Sequence, residues 1–267
     1  MNKIILSLSV LLICFTSSCQ KKTEDVHTIK VAATTTPQAE MLEFIKPQLQ
    51  QQGYTLQIIV TDDYNLPNRA VADRDVDANF FQHIPFLNKQ IEQFQYDLCI
   101  LAKTHIEPMG IYSKKLTSLN LIQTGAVIAI PSDPSNEGRA LELLATTGLI
   151  EIKQSGKEST TIRDIVSNPK KLKFQELDAA MLARSLDDVT AALIPTNFAL
   201  QASLVPVKDA LAIEGPNSLY VNVIVIRCAD QNEPKLNALK EAMNSRQLAE
   251  FIHSRYKSAI EPAFIPS

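Results

Sequence analysis

The fold class of this chain is decided by residues 126–144, Ala126-Val127-Ile128-Ala129-Ile130-Pro131-Ser132-Asp133-Pro134-Ser135-Asn136-Glu137-Gly138-Arg139-Ala140-Leu141-Glu142-Leu143-Leu144. The stretch begins with apolar residues typical of a buried strand and ends in a segment typical of an apolar helix. Pro, Ser and Asn crowd the junction, as they do at helix N-termini. The stretch therefore predicts a strand followed directly by a helix, the unit from which α/β proteins are built.

The same junction predicts a binding site for a small anion, most simply a carboxylate. Unpaired N–H groups and the positive end of the helix dipole gather at a helix N-terminus and attract negative charge. Arg139, one turn into the predicted helix, adds two parallel donors that suit a carboxylate. An arginine at such a position is also commonly a solvated surface residue. The residues alone leave both interpretations open.

The N-terminus is typical of an exported protein. Residues 1–18 combine a basic start, a short apolar run and small residues, which is the pattern of a secretory signal peptide. Cys19 follows directly, like the lipidated cysteine of bacterial lipoproteins, although Thr16 stands where an aliphatic residue is usual. The alternative is an ordinary signal peptide that is cleaved near this point without lipidation of the cysteine. We predict an exported protein held to the membrane by lipid on Cys19, on a periplasmic face or the cell surface, with residues 19–27 as its tether.

Composition argues against several classes of function. The 267 residues carry a formal net charge of −3 without a basic block, so we expect no nucleic-acid partner. The chain shows no glycine-rich phosphate loop and no His-x-x-x-His, Cys-x-x-Cys or Gly-x-Ser-x-Gly arrangement. We therefore expect no metal, no cofactor and no catalysis, and we do not interpret His83, His105, Asp187 or Asp188 as catalytic groups.

Two cysteines, Cys99 and Cys228, lie in or next to apolar runs in the body of the chain. Buried free thiols behave as small hydrophobic groups, and this interpretation is favoured. A disulfide between them is the alternative in an exported protein, although one pair does not make a disulfide framework.

Short β-branched runs alternate with helical stretches along most of the chain, which predicts an α/β fold with mainly parallel sheets. Helices are predicted from Gln38 to Gln52, from Pro67 to Arg74, after Pro85 and after Pro134. The predicted strands cover residues 28–33, 56–60, 78–81, 98–103, 109–113, 126–130, 173–177, 191–194 and 220–226. The last strand comes after a self-contained block from about Leu116 to Glu214, which suggests two lobes with a cleft between them. One continuous sheet is the alternative, and the pattern alone prefers neither.

Several blocks resemble the methionine-binding lipoproteins of ABC importers, the NlpA lipoprotein family. The blocks are residues 77–83, 104–113, 130–144, 176–180 and 186–189, in the family's order and spacing from about Ile29 onwards. The resemblance implies a two-lobed periplasmic-binding-protein-like fold that closes around a free amino acid. Lobe one would comprise residues 28–113 plus 217–267, and lobe two residues 114–216.

The resemblance also implies a set of binding residues. Arg139 matches the arginine that holds the ligand carboxylate, and Asn197 and Asn222 match two asparagines that orient the amino-acid backbone. The lining of the side-chain pocket would be Tyr64, Phe81, His83 and Phe86, with Phe86 where the family usually has tyrosine. A departure occurs near Pro37, where Ala33-Thr34-Thr35-Thr36-Pro37-Gln38 replaces the family's turn with glycine and histidine.

Each candidate also has a simpler structural interpretation. Asn222 interrupts an apolar run, where an amide without partners would cost about 1–3 kcal/mol, so it needs either a ligand or a neighbouring strand to bond. Asn197 follows Pro195 and could cap a helix. The aromatic residues could be ordinary core residues, although together they would suit a thioether.

We therefore expect a monomeric solute-binding lipoprotein that captures methionine, in the L form, and delivers it to an ABC permease with its ATPase. A binding protein for another apolar amino acid or a short peptide is the first alternative. A surface lipoprotein acting as an adhesin is the second, and an exported hydrolase is the third and weakest.

Overall fold

The computed structural model describes residues 25–153, 160–215 and 219–265. The predicted signal peptide, Cys19 and most of the predicted tether lie outside these ranges. Within them, no helix has both the length and the apolar character that crossing a bilayer requires.

The strands and helices alternate as the sequence predicts. The strands are β1 (Thr28–Ala33), β2 (Thr55–Val60), β3 (Ala78–His83), β4 (Leu98–Ile106), β5 (Gly110–Tyr112), β6 (Val127–Pro131), β7 (Glu151–Ile152), β8 (Ile165–Ser167), β9 (Lys173–Leu177), β10 (Ala191–Ile194), β11 (Ala212–Ile213), β12 (Val221–Arg227) and β13 (Glu261–Pro262). The helices are α1 (Glu40–Gln51), α2 (Pro67–Ala72), α3 (Ile84–Phe94), α4 (Pro134–Thr146), α5 (Leu182–Ser185), α6 (Thr196–Gln201), α7 (Pro206–Asp209), α8 (Pro234–Met243) and α9 (Arg246–Tyr256).

The first sheet has the strand order β13-β4-β12-β3-β1-β2. Alternate residues of β12 face opposite sides of this sheet, as a strand requires. Ile224 and Ile226 pack into a core with α1, α8 and α9. Val223 and Val225 pack on the other face with residues of α2 and α3. Because β12 is buried on both faces, its sequence is a continuous apolar run rather than an alternating one.

The second sheet has the strand order β11-β5-β10-β6-β9 and is likewise covered on both faces. Helix α4 packs on one face through Leu141 and Leu144, and α5 and α6 pack on the other through Leu182 and Phe198. A separate two-stranded ribbon joins β7 and β8. The two sheets rule out the alternative of one continuous sheet, and β5, within the range predicted for lobe one, pairs in the second sheet.

The prediction of mainly parallel sheets is wrong, because both sheets are mixed. In the first sheet β1 pairs in parallel with β2 and β3, but β12 pairs antiparallel with β3 and β4. In the second sheet β6 pairs in parallel with β9 and β10, but β5 pairs antiparallel with β10 and β11. The chain leaves the first sheet through β4 and returns to it through β12, so these two neighbours must run in opposite directions.

Two crossing segments join the sheets: residues 107–109 between β4 and β5, and the segment between β11 and β12, of which residues 214–215 and 219–220 are described. They are bonded to each other, because the Glu214 N–H donates to the Met109 carbonyl at 3.0 Å and the Met109 N–H donates to Glu214 Oε2 at 2.7 Å.

The favoured prediction of free thiols is also wrong, because Cys99 and Cys228 form a disulfide. Their Cα atoms lie 4.9 Å apart, within the range that a disulfide spans. Cys99 lies on β4 opposite Ile226 of β12, and Cys228 directly follows that strand. The pairing of β4 with β12 thus brings together two residues that are 129 positions apart in sequence.

Candidate ligand-binding site

One cavity collects all seven binding residues expected from the sequence. Its non-atom space is about 350 Å³, a figure that includes open solvent at its mouth. It lies between residues of both sheets and the first crossing segment. The lining residues are Tyr64, Phe81, Gln82, His83, Phe86, Glu107, Asn136, Arg139, Pro195, Asn197 and Asn222.

One side of the cavity is aromatic, and we refer to Tyr64, Phe81, His83 and Phe86 as the aromatic wall. The Tyr64 ring centroid lies 5.6 Å from that of Phe81 and 5.8 Å from that of Phe86. Phe81 and Phe86 meet edge to face at 5.6 Å, a favoured arrangement for aromatic rings. Phe81 lines the cavity because its neighbour on β3, Phe80, points into the opposite core.

His83 is neutral, and its hydrogen bonds define its tautomer. Its Nδ1 accepts the Phe86 N–H at 3.1 Å, so Nε2 carries the proton and donates to Asn136 Oδ1 at 3.0 Å. Burial and, secondarily, the charge of Arg139 lower the pKa of His83 to about 3. His83 thus presents a neutral aromatic ring at neutral pH and links the first sheet to α4.

The opposite side is polar, and we refer to Asn136, Arg139 and Asn197 as the polar wall. The Tyr64 hydroxyl donates to Asn197 Oδ1 at 2.9 Å, and burial raises the pKa of the Tyr64 phenol well above its ordinary value. Asn197 is only 2% exposed, yet its Nδ2 has no hydrogen-bond partner within the described ranges. A buried donor of this kind costs free energy unless something accepts from it.

Arg139 is buried, with 3% of its surface exposed, and is already paired within the chain. Its Nε donates to Glu214 Oε1 at 2.7 Å and its Nη2 to Glu214 Oε2 at 2.5 Å. Nη2 also donates to the Glu107 carbonyl at 2.6 Å, and the Tyr220 ring centroid lies 4.2 Å from the guanidinium carbon. Of the five guanidinium hydrogens, only the two on Nη1 have no partner in the part of the chain that the structure describes.

The N-terminus of α4 is capped by the protein itself, which corrects the expectation that its backbone donors are available to an anion. Asp133 Oδ1 accepts the Asn136 N–H at 2.9 Å, and both carboxylate oxygens accept from Asn136 Nδ2. Burial raises the pKa of Asp133. The donors that face the cavity therefore belong to side chains rather than to the helix terminus.

Glu107, directly before Pro108 in the first crossing segment, is a buried carboxylate that lines the cavity and was not among the predicted binding residues. Its Oε1 accepts from Gln38 Nε2 at 2.6 Å and lies 2.6 Å from His105 Nε2. Thr34 donates in turn to Gln38 Oε1 at 2.5 Å. The loop near Pro37, where the sequence departs from the family pattern, thus supports a cavity residue through Gln38.

Asn222 lies on β12 between two histidine-bearing strands. Its residue partners are His83 on β3 and His105 on β4, and its carbonyl accepts from the Thr104 hydroxyl at 2.9 Å. Asn222 is 4% exposed and lines the cavity as expected.

Sequence reasoning missed further residues around the site. Gln82, Asn136 and Pro195 line the cavity, and the Phe198 ring lies 5.3 Å from that of Tyr64. Asn136 was within the stretch that predicted an anion site, so its position offered a signal. Asp187 and Asp188 are exposed and do not line the cavity, and Asp187 forms an ion pair with Lys114 at 2.7 Å. Within the described ranges, no group of His, Cys, Asp or Glu side chains is arranged to hold a metal ion.

Comparisons with known proteins agree with this architecture. The family model described as NlpA lipoprotein matches residues 29–264. The chain is 38% identical over 239 residues to the methionine-binding lipoprotein MetQ of Bacillus subtilis (strain 168), covering 88% of this chain and 87% of that protein. It is 39% identical over 235 residues to the probable D-methionine-binding lipoprotein MetQ of Vibrio cholerae, covering 87% of each chain.

Solved structures show the same fold. A nutrient-binding protein from Burkholderia cenocepacia bound to methionine is 42% identical, with a TM-score of 0.86, covering 88% of this chain and 100% of that one. The expected two-lobed periplasmic-binding-protein-like fold is thereby confirmed, with mixed rather than mainly parallel sheets.

Proposed function

This chain belongs to the NlpA lipoprotein family, and from that premise we propose that it is the solute-binding lipoprotein of an ABC importer with methionine as its ligand. The observation that carries the proposal is a single cavity that joins an aromatic wall to a buried, unpartnered amide donor on Asn197. Its relatives include proteins named for methionine binding and a structure bound to methionine.

The ends of the proposed ligand match groups of opposite charge. Methionine at neutral pH is a zwitterion, with a carboxylate, an ammonium group and an apolar thioether. Asn197 Nδ2 and Arg139 Nη1 would donate to the carboxylate, and Glu107 would attract the ammonium group. Asn222, which lines the cavity beside Glu107, would help to orient the backbone of the ligand.

The thioether would lie against the aromatic wall. Contacts between sulfur and aromatic rings contribute about 0.3–1.5 kcal/mol each, and Tyr64, Phe81 and Phe86 are placed to make several of them. Phe86 keeps the aromatic surface at a position where the family usually has a hydroxyl as well. His83 contributes a neutral ring edge.

Closure of two lobes, one built on each sheet, would enclose the ligand. Hydrogen bonds already run between them: Tyr64 to Asn197, His83 to Asn136, and Gln201 to Asp62 at 2.9 Å. Ligand binding would shift the population towards the closed form. That form would be recognised by the permease and its ATPase, with the monomeric protein exported and anchored by lipid on Cys19.

Calorimetry with L-methionine, D-methionine, leucine and a methionine-containing dipeptide tests the proposal. We expect one ligand per chain and the tightest binding for L-methionine. Mass spectrometry of ligand released by denaturing the purified protein provides an independent identification. Tighter binding of the dipeptide or of leucine would change the ligand class, and the absence of binding by every amino acid would overturn the proposal.

A matched pair of variants assigns the binding to this cavity. Asn197→Ala removes the unpartnered donor and should weaken methionine binding by about tenfold or more, as expected for a hydrogen bond to a charged group. Asn88→Ala changes the same residue type on the exposed face of α3 and should leave the affinity unchanged. Equal affinities for the two variants would place the ligand elsewhere.

A further inference from the structure

We propose that Glu214 is a positioning residue for the ligand carboxylate, which it serves by fixing the guanidinium of Arg139 with Nη1 directed at the cavity. The inference rests on the proposed function, because it concerns how the same ligand is held. Glu214 is not among the described residues that line the cavity. It would act only through Arg139.

The first observation is how the guanidinium is used. Glu214 takes the edge formed by Nε and Nη2, through contacts of 2.7 and 2.5 Å. The second hydrogen of Nη2 goes to the Glu107 carbonyl at 2.6 Å. An arginine without other partners would bind a ligand carboxylate through two parallel N–H···O hydrogen bonds. Here both hydrogens of Nη2 are committed, so a ligand carboxylate can receive hydrogen bonds from Nη1 alone.

The second observation is that Glu214 is itself held in place. Its carboxylate accepts the Met109 N–H at 2.7 Å, and its own N–H donates to the Met109 carbonyl at 3.0 Å. The guanidinium also lies over the Tyr220 ring, at 4.2 Å from its centroid. Both crossing segments and an aromatic face therefore restrict one flexible side chain, and the cost of ordering it is met before ligand binds.

A negative charge beside Arg139 can also act on a ligand directly, with the opposite consequence. Through space, the Glu214 carboxylate repels a ligand carboxylate and attracts a cation. Removing it would then strengthen the preference for a carboxylate. If Glu214 acts by positioning, removing it weakens that preference. The two effects therefore differ in sign, which makes them separable.

The experiment compares L-methionine with L-methioninamide, which keeps the side chain and the ammonium group but lacks the carboxylate. Calorimetry gives the affinity ratio, defined as the affinity for methionine divided by that for methioninamide, for the wild-type protein and for Glu214→Gln. We expect Glu214→Gln to weaken methionine binding by about tenfold, equivalent to about 1.4 kcal/mol. Methioninamide binding should change much less, so the ratio falls.

Glu214→Asp keeps the charge but withdraws the carboxylate by one methylene, and it should also lower the ratio. Glu241→Gln makes the same change of charge on the exposed face of α8 and should leave the ratio as in the wild-type protein. Thermal melts of each variant verify folding, and Glu214→Asp carries the test if Glu214→Gln does not fold.

Three results would overturn the inference. An equal loss of affinity for both ligands would make Glu214 a purely structural residue. A higher ratio in Glu214→Gln would show that its charge acts through space, and wild-type affinities for both ligands would show no role at all. If the wild-type protein binds no methionine, the proposed function itself fails, and that result is distinct from the other three.

Discussion

The two walls of the cavity face the same space but would bind a ligand through different kinds of interaction. The aromatic wall is built from β3, α3 and the loop between β2 and α2, and it offers broad contacts without direction. The polar wall rests on α4 and α6 and offers a few directed donors, each fixed by other hydrogen bonds. Directed bonds to charge are few and strong, whereas ring contacts are individually weak. The polar wall should therefore set affinity, and the aromatic wall should set the choice of side chain.

The largest effect should come from Arg139→Ala, which removes the charge of the polar wall. Loss of a buried charge partner should weaken methionine binding by about 2–5 kcal/mol. The same change leaves the largely buried Glu214 unpaired, which should lower the free energy of unfolding by about 3–5 kcal/mol. Calorimetry and chemical denaturation measure the two effects.

The double variant Arg139→Ala with Glu214→Ala separates these effects. Removing both charges should restore much of the lost stability without restoring methionine binding. Recovery of binding in the double variant would show that Arg139 makes no direct contribution to the ligand.

The second-largest effect should come from removing the disulfide, which should change the stability of the protein but not its ligand binding. Replacing both Cys99 and Cys228 with serine removes a link across 129 residues, which should lower the free energy of unfolding by about 2–5 kcal/mol. Cys228 follows the far end of β12 from Asn222, so the cavity should be unaffected. We expect methionine affinity to stay at the wild-type value by calorimetry, and a parallel fall in affinity would mean that the aromatic wall depends on this link.

The predictions for Arg139 and for the disulfide both depend on pairs of residues that the sequence does not reveal. The strand and helix positions follow from local patterns, as in the start of α4, where Asp133 and Pro134 form the cap and first turn. Glu214 lies 75 positions from Arg139, and no periodicity links the two. The disulfide was only the alternative interpretation of the two cysteines for the same reason, because it depends on which strands are neighbours.

The walls themselves were predicted unevenly. The aromatic wall came from the family resemblance, since each aromatic residue alone reads as an ordinary core residue. Arg139 was indicated by its place at a strand-to-helix junction, but the expected backbone contribution failed because Asp133 competes for the same N–H groups. Glu107 was missed because a glutamate before proline resembles an exposed turn until the fold buries it.

The third-largest effect concerns His83, the neutral histidine of the aromatic wall that is hydrogen-bonded to Asn136 of the polar wall. The unfolded chain binds a proton on His83 below about pH 6.5, but the folded chain does so only below about pH 3. Stability should therefore be lost as the pH falls from 6.5 towards 3, by up to about 1.4 kcal/mol per pH unit. Denaturation between pH 7.5 and 4 should show a shallower loss in His83→Gln than in the wild-type protein. Parallel curves would mean that His83 takes up its proton in the folded state.

The smallest effect should come from the aromatic wall and should appear as selectivity. Phe86→Leu removes one ring but keeps an apolar side chain, so it should weaken methionine binding by about 0.3–1.5 kcal/mol. Norleucine, which replaces sulfur with a methylene group, should lose less, because its side chain has no sulfur to interact with the ring. Competition calorimetry with both ligands measures the difference. If both lose affinity equally, the ring contributes only packing, and the thioether is recognised by another part of the wall.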